Sequence, residues 1–249
     1  MTHTIASPAN KKPAWSVFPE LEPVHNSKPD ASSRRRARPA TARKEEKAAA
    51  SDGHIKATTL SFSNMSHFGD LFVSFLKARK DTFIDRLHWN LPESEGMEFD
   101  QYDTPLSRWI AIHEFGEVLA GIRLTPTTAR CGVYSYMLRD AQKGMLENIP
   151  SDVLFLDAPV EQRVWEASRL FIADNVPAHR RLIIQSVLMN QLTKAAREMG
   201  ATHVIGIVPA VWSRWLRRLD LDAVAVGPKF TIDHTVSQAA LFNVVKYVN

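Results

Sequence analysis

Apolar residues recur at helical spacing between Phe68 and Leu87, where Phe68, Leu71, Phe72, Phe75, Leu76, Phe83 and Leu87 fall largely three, four or seven apart. That rhythm predicts one amphipathic helix or two in succession. Glu93 to Asp103 then reads as an acidic loop. The apolar runs from Trp109 to Ile112 and from Val118 to Leu124 are compact, and the glycine-bearing link from His113 to Glu117 predicts a hairpin between them. After an irregular stretch containing Pro126, Gly132, Gly144 and Pro150, the run from Val164 to Ile172 reads as a central strand. A long helix from Ala178 to Met199 follows, ended by Gly200 in the usual C-terminal position. His203 to Val208 reads as a buried strand, Ala210 to Leu219 as a second helix, and Val224 to Val226 and Ala239 to Val245 as the last strands. Strands that first meander and then alternate with helices predict an α/β domain with a mixed sheet covered on both faces.

Residues 1–60 break this pattern. They are rich in Pro, Ala and Ser and carry Arg34, Arg35, Arg36, Arg38, Arg43 and Lys44. Such a segment buries too little apolar surface to offset its ordering entropy, which predicts a disordered basic tail over 1–60 ahead of one catalytic domain over 65–249. The tail holds 11 Lys/Arg against 6 Asp/Glu, whereas the remainder holds 20 against 21, so the isoelectric point near 9.2 belongs to the tail. The tail reads as a solvated linker or as a nucleic-acid or membrane-surface arm. A third reading is an internal start at Met65, which would delete the tail and leave the domain whole.

Composition removes several function classes. Cys131 is the single cysteine, so the chain forms no internal disulfide and builds no cysteine-based zinc site, in keeping with a reducing cytoplasm. No apolar run approaches the ~18 residues of a membrane span, and the first residues lack the apolar core of a signal peptide. GxSxG, HExxH, GxxxxGK[ST], CxxC and GxGxxG are all missing, which takes support from hydrolase, zinc-protease and nucleotide-triphosphatase readings.

What remains is a series of charges set among aromatics: Arg79, Phe83, Arg86 and Trp89; Glu98, Asp100, Tyr102 and Asp103; Arg123; and Trp165, Glu166, Ser168 and Arg169. On a helix Arg79 and Phe83 share a face. In a regular strand Glu166 and Arg169 point to opposite faces. If both serve one pocket, a β-bulge near Ala167 or Ser168 is expected to re-aim one of them.

In order, these residues spell R-x-x-x-F-x-x-R-L-x-W (Arg79 to Trp89), E-x-D-x-Y-D (Glu98 to Asp103), R-L-x-P-T-T (Arg123 to Thr128) and W-E-x-S-R (Trp165 to Arg169). The set resembles the sequence pattern of the acyl-homoserine-lactone synthases of bacterial quorum sensing, over about Phe68 to Val226. The resemblance implies a GNAT-like three-layer α/β/α sandwich around a mixed, mostly antiparallel sheet. It also implies two substrates: S-adenosylmethionine, and an acyl chain carried on acyl carrier protein or, in some members, coenzyme A. The methionyl amine takes the acyl group, and lactonisation then releases methylthioadenosine. By this resemblance Arg79, Phe83, Trp89, Asp100, Asp103 and Arg123 bind S-adenosylmethionine. Glu166 is the base, Arg169 orients the site, and main-chain N–H groups on a splayed strand stabilise the oxyanion. S-adenosylmethionine is then a substrate, and no cofactor or metal is expected.

The donor side departs from common coenzyme A-dependent relatives of this fold. Their pyrophosphate loop carries glycine, whereas Asn175 to Arg181 contains none. This favours acyl carrier protein, an acidic partner, for which Arg180, Arg181, Lys194, Arg197, Arg214, Arg217 and Arg218 form the expected docking set; the alternative is an ordinary solvated helix face. The acyl pocket is expected between helices and strands after Arg169, lined by Met137, Leu170, Leu188 and Val208. In some members of the family this chain resembles, a Ser or Thr on this later strand accompanies a 3-oxo acyl group; Val204 to Pro209 carries no hydroxyl, so the resemblance implies an unsubstituted or non-3-oxo chain.

Overall fold

The computed structural model describes residues 54–211, 223–232 and 235–245. A seven-stranded sheet in the order β1-β4-β5-β6-β7-β9-β8 forms its centre. Its strands are Lys56–Leu60 (β1), Arg108–Glu114 (β4), Glu117–Pro126 (β5), Val164–Ile172 (β6), His203–Pro209 (β7), Ala223–Ile232 (β8) and Thr235–Asn243 (β9). Among the described strands only β6 and β7 run parallel. The helices Leu71–Lys80 (α1), Met137–Gln142 (α2) and Ala178–Glu198 (α3) complete the layers, and a small second sheet pairs Glu93–Ser94 (β2) with Met97–Glu98 (β3). Among the described residues no helix is long and apolar enough to cross a membrane.

Alternation along the strands sorts the core into two layers. Ile110, Ile112, Ile122, Leu124 and Trp165 pack with Ile184, Leu188 and Leu192 of α3 on one face. Trp109, Ala111 and Phe171 face the other way and pack with Leu71, Phe75 and Leu76 of α1. This is the three-layer arrangement expected. The chain between Phe68 and Leu87 forms α1 and, directly after it, a π-helical segment, Asp81–Arg86.

Four features differ from the sequence reading. The last residues of the stretch read as tail form β1, which pairs with β4 from Lys56↔His113 to Leu60↔Trp109, so the folded domain begins before Met65. Short range explains the miss, because five residues of weak alternation read as a strand only once β4 lies beside them. The acidic loop contains β2 and β3, joined by Glu95 and Gly96 at φ 52° and 75°. The irregular stretch contains α2. The predicted hairpin turn narrows to Phe115 and Gly116, both at positive φ (52° and 87°), as a tight two-residue turn between twisted strands requires. Residues 1–53 and the helix expected from Ala210 to Leu219, beyond Val211, lie outside the described residues.

The sheet opens at one point. Pairing between β6 and β7 ends at Ala167↔Gly206, after which β6 continues against β5 and β7 against β9. A Cβ on Gly206 would stand 2.7 Å from the carbonyl oxygen of Ala167, so only glycine lets the two strands meet this closely before they part.

Candidate active site

Three acids and three arginines close a ring on the α1 face of the sheet. Arg79 pairs with Glu98 and, through Nη1, with Asp103 at 2.7 Å. Arg123 pairs with Asp103 at 3.0 Å and Asp100 at 2.5 Å. Arg169 pairs with Asp100 at 2.8 Å and, through Nε, with Glu98 at 3.1 Å. Each carboxylate thus bridges two guanidinium groups, and the ring is electrically neutral. The Trp109 indole donates to Asp103 at 2.7 Å and the Arg123 Nε donates to Ser168 Oγ at 3.1 Å, fixing the ring to β4 and β6. Burial alone would raise the pKa of Asp100 and Asp103, but the adjoining arginines hold both below the ordinary carboxylate range. The same acids raise Arg123 against the opposing effect of its burial.

The ring depends on a backbone irregularity. β5 and β6 pair at Arg123↔Ser168 and again at Gly121↔Phe171, so Arg169 and Leu170 oppose Ile122 alone. Arg169 takes φ 55°, the left-handed region that a residue with a Cβ seldom adopts. This is a bulge, one residue beyond the expected Ala167 or Ser168. It turns Arg169 onto the face of Glu166 and Ser168, and it sends Leu170 into the α3 core.

Of the residues expected to bind S-adenosylmethionine, the structure gathers all six into one region. Arg79, Asp103 and Arg123 have no exposed side-chain surface and contact one another. Phe83 and Trp89 stack with ring centroids 5.0 Å apart, and the Arg169 guanidinium lies 5.7 Å from the Phe83 ring. Arg169, with 10 % of its side chain exposed, is the ring's most open member. Glu98 completes the ring and was not among the expected ligands; its place in the E-x-D motif was the available signal.

Glu166 stands apart from the ring. It is fully buried, and its carboxylate accepts N–H bonds from Met137 (3.0 Å) and Leu138 (2.7 Å) at the start of α2. Burial raises its pKa to about 7, opposed by these N–H groups and by Arg123. Glu166 lies one residue before the point where β6 and β7 separate. A carboxyl that titrates near neutrality beside that opening is chemically suited to exchange protons there. No ion pair joins Glu166 to Arg169; what they share is the face.

The four expected acyl-pocket residues divide. Leu170 and Val208 line an apolar crevice between α3 and the parting strands, together with Ala167 and Gly206. Leu188 lies in the adjoining core, and Met137 lies on the opposite face with Glu166. Of the expected docking set, Arg180 forms a bidentate pair with Glu114 at 2.9 and 3.1 Å, and Arg181 is buried. Lys194 is exposed and Arg197 is half-buried, whereas Arg214, Arg217 and Arg218 fall outside the described residues. Among the described residues no cluster of His, Cys, Asp or Glu is arranged to hold a metal ion.

The autoinducer synthase family model matches residues 64–246. The acyl-homoserine-lactone synthase of Vibrio anguillarum is 34% identical over 162 residues, covering 64% of this chain and 77% of that protein. Among solved structures, TofI in a ternary complex with an inhibitor and MTA is 25% identical, with a TM-score of 0.59 over 76% of this chain and 91% of that one. The acyl-homoserine-lactone synthase LasI shares the fold, with a TM-score of 0.64 at 20% identity over 77% of this chain and 90% of that one.

Proposed function

This chain belongs to the autoinducer synthase family, a family of acyltransferases, and we propose that it makes an N-acyl-L-homoserine lactone from S-adenosylmethionine and an acyl-carrier-protein thioester. The observation that carries the reading is the bulge at Arg169, which brings the ring and Glu166 to one face beside the parting of β6 and β7.

The ring acts as a rigid frame. Because its inner members spend their charge on one another, direct contact with S-adenosylmethionine falls to Asp100, Arg169, Phe83 and Trp89. Aromatic faces suit the sulfonium, Asp100 suits the ammonium and Arg169 suits the carboxylate. Arg79, Asp103, Arg123 and Glu98 hold those groups in place. Glu166 takes one proton from the ammonium before attack on the thioester carbonyl. A second proton leaves as the amide forms and departs with the thiol. Main-chain N–H groups facing the opening between the strands meet the developing oxyanion. The methionyl carboxylate then attacks its own γ-carbon, and methylthioadenosine leaves.

A carrier-protein donor is supported by the glycine-free segment from Asn175 to Arg181, with Lys194 and Arg197 of α3 as the basic surface for an acidic partner. An unsubstituted acyl chain is supported by the apolar lining of the crevice, which offers a 3-oxo group no side-chain donor. The reaction needs no cofactor, and its setting is the cytoplasm, where both substrates are made. Purified protein incubated with S-adenosylmethionine and acyl thioesters of carrier protein and of coenzyme A tests the reading, with methylthioadenosine followed by mass spectrometry. Release with a carrier thioester is expected; a folded sample that releases none with any donor overturns it.

A further inference from the structure

The loop joining α2 to β6 turns apolar side chains outward from a fixed backbone. Val153 and Leu154 are buried beneath it, whereas Phe155 and Leu156, next in the chain, are 65 % and 81 % exposed. Hydrogen bonds hold the exposed pair on both sides. The Phe155 N–H donates to the Val226 carbonyl of β8 at 2.9 Å. The Gln142 side chain donates to the Leu156 carbonyl at 2.9 Å and accepts from the Ala158 N–H at 2.8 Å. The surroundings are acidic. Residues 145–161 carry Glu147, Asp152, Asp157 and Glu161, all exposed, and no Lys or Arg. Among the described residues none of these four acids joins an ion pair. Lys143 and Arg163 flank the loop, and Lys143 faces the buried Asp140 at 3.6 Å. An apolar pair rimmed by unpaired acids fits a basic segment with apolar anchors.

This chain carries such a segment in residues 1–53. They hold 10 Lys/Arg against 6 Asp/Glu, and the run from Arg34 to Lys44 holds six of those cations and no acid. Trp15, Val17, Phe18 and Leu21 cluster ahead of that run. Length permits the contact. His54 stands beside β1 at one edge of the sheet, and the loop is bonded to β8 at the other edge. Six strand spacings of ~4.8 Å separate the two edges, about 29 Å. The chain from Leu21 to His54, fully extended, reaches about 110 Å at ~3.3 Å per residue. We propose that residues 15–44 of this chain dock on the loop at 145–161, with Trp15 and Phe18 seated against Phe155 and Leu156 and the basic run against the acids. The contact is independent of the reaction proposed above.

Carbodiimide coupling of the full chain tests this, because it joins a lysine amine to a carboxylate only where the two touch, forming an amide with net loss of water. An equimolar mixture of nitrogen-15-labelled and unlabelled protein is coupled and digested, and the joined peptides are identified by mass spectrometry. Bonds from Lys28, Lys44 or Lys47 to Asp152 or Asp157 are expected, each joining peptides of one isotopic type. Phe155→Ser combined with Leu156→Ser is expected to lower their yield about tenfold, as loss of one buried apolar side chain would. Coupling of Lys80 to Asp85, 2.8 Å apart within the folded domain, reports the fold in the same sample. If that signal falls in the serine variant, Trp15→Ser combined with Phe18→Ser, which changes no described residue, is expected to give the same tenfold loss. Coupling of Lys80 to Asp85 without any bond between residues 1–53 and the loop overturns the docking. An unchanged yield in the folded variants overturns the apolar seat. Peptide pairs of mixed isotopic type in the random proportion overturn the assignment to the same chain and give the seat to a second copy.

Discussion

Arg169 donates through Nε to Glu98 Oε1 at 3.1 Å, and it does so from a backbone conformation with φ 55° inside β6. The bulge is held in place by what its side chain reaches: Glu98, Asp100 and the Phe83 ring. Left-handed backbone at a residue with a Cβ is strained by about 1 kcal/mol or more, and a buried ion network offsets it. Removing Glu98 leaves Arg79 with Asp103 and Arg169 with Asp100, and the buried ring with one positive charge in excess. Glu98→Gln is therefore expected to lower stability by roughly 3–5 kcal/mol, read from urea denaturation. A loss under ~1 kcal/mol would mean that the ring adjusts freely.

Glu166 controls a pH dependence in two observables. Burial lifts its carboxyl from 4.5 to about 7 in the folded state. Between those values the folded state binds a proton that the unfolded chain has released, so this group's contribution to stability falls as pH rises from 4.5 to about 7 and then levels. Each tenfold difference in proton affinity between the folded and unfolded chain is worth roughly 1.4 kcal/mol. Denaturant titrations at pH 5 and pH 8 should show the native chain losing stability between them, and Glu166→Gln should remove that difference. As the proposed base, Glu166 also gives kcat/KM an acidic limb near pH 7, and Glu166→Gln is expected to lower turnover by about 100-fold or more. Full activity in the variant would assign the proton to another acceptor.

Tyr102 presents the reverse case of a buried polar atom without a partner. Its residue is 2 % exposed, and its hydroxyl has no well-formed hydrogen bond among the described residues. Burial raises its pKa well above the ordinary value, reinforced by Asp140 and Glu166 and only partly opposed by the neighbouring Gln101. The ring still packs against Arg123, whose guanidinium carbon lies 5.7 Å from its centroid. Tyr102→Phe keeps that packing and removes the unmade hydrogen bond, so thermal unfolding should register a gain of about 1 kcal/mol. A loss instead would reveal a bound water as the missing partner.

The strand β1 places part of the folded unit ahead of Met65. Leu60 is fully buried, and Gln191 of α3 donates to Thr59 Oγ1 at 3.0 Å. A chain starting at Met65 lacks β1 and exposes β4 as an edge; it is expected to be less stable by several kcal/mol than one starting at His54, and more prone to associate. Equal melting temperatures for the two would show β1 to be dispensable.

Gly206 holds the parting strands together at their last contact. Gly206→Ala must push its Cβ away from the Ala167 carbonyl, a rigid backbone atom, and should lower stability by roughly 1–3 kcal/mol. The measurement is again chemical denaturation. A neutral substitution would mean that the opening widens without strain.

The sequence by itself determined the long elements and the order of the charged motifs along the chain. Periods of two and near 3.6 are local properties, so β6, β7 and α3 emerged with boundaries close to those observed. The spaced charges around Arg79, Asp100, Arg123 and Arg169 were legible because each motif is short and unusual. Tertiary structure alone decided which charge neutralises which. No local rule ties Glu98 to Arg169 across 71 positions, and none brings Phe242 and Leu170 to one apolar crevice. β1 became a strand only through a partner about 50 residues away, and the bulge moved to Arg169 because the ring needed a guanidinium there. Local periodicity is written in each segment, whereas ion pairing, edge pairing and enclosed space arise only when distant segments meet. That is why the charged motifs could be picked out along the chain, and why the ring they form could not.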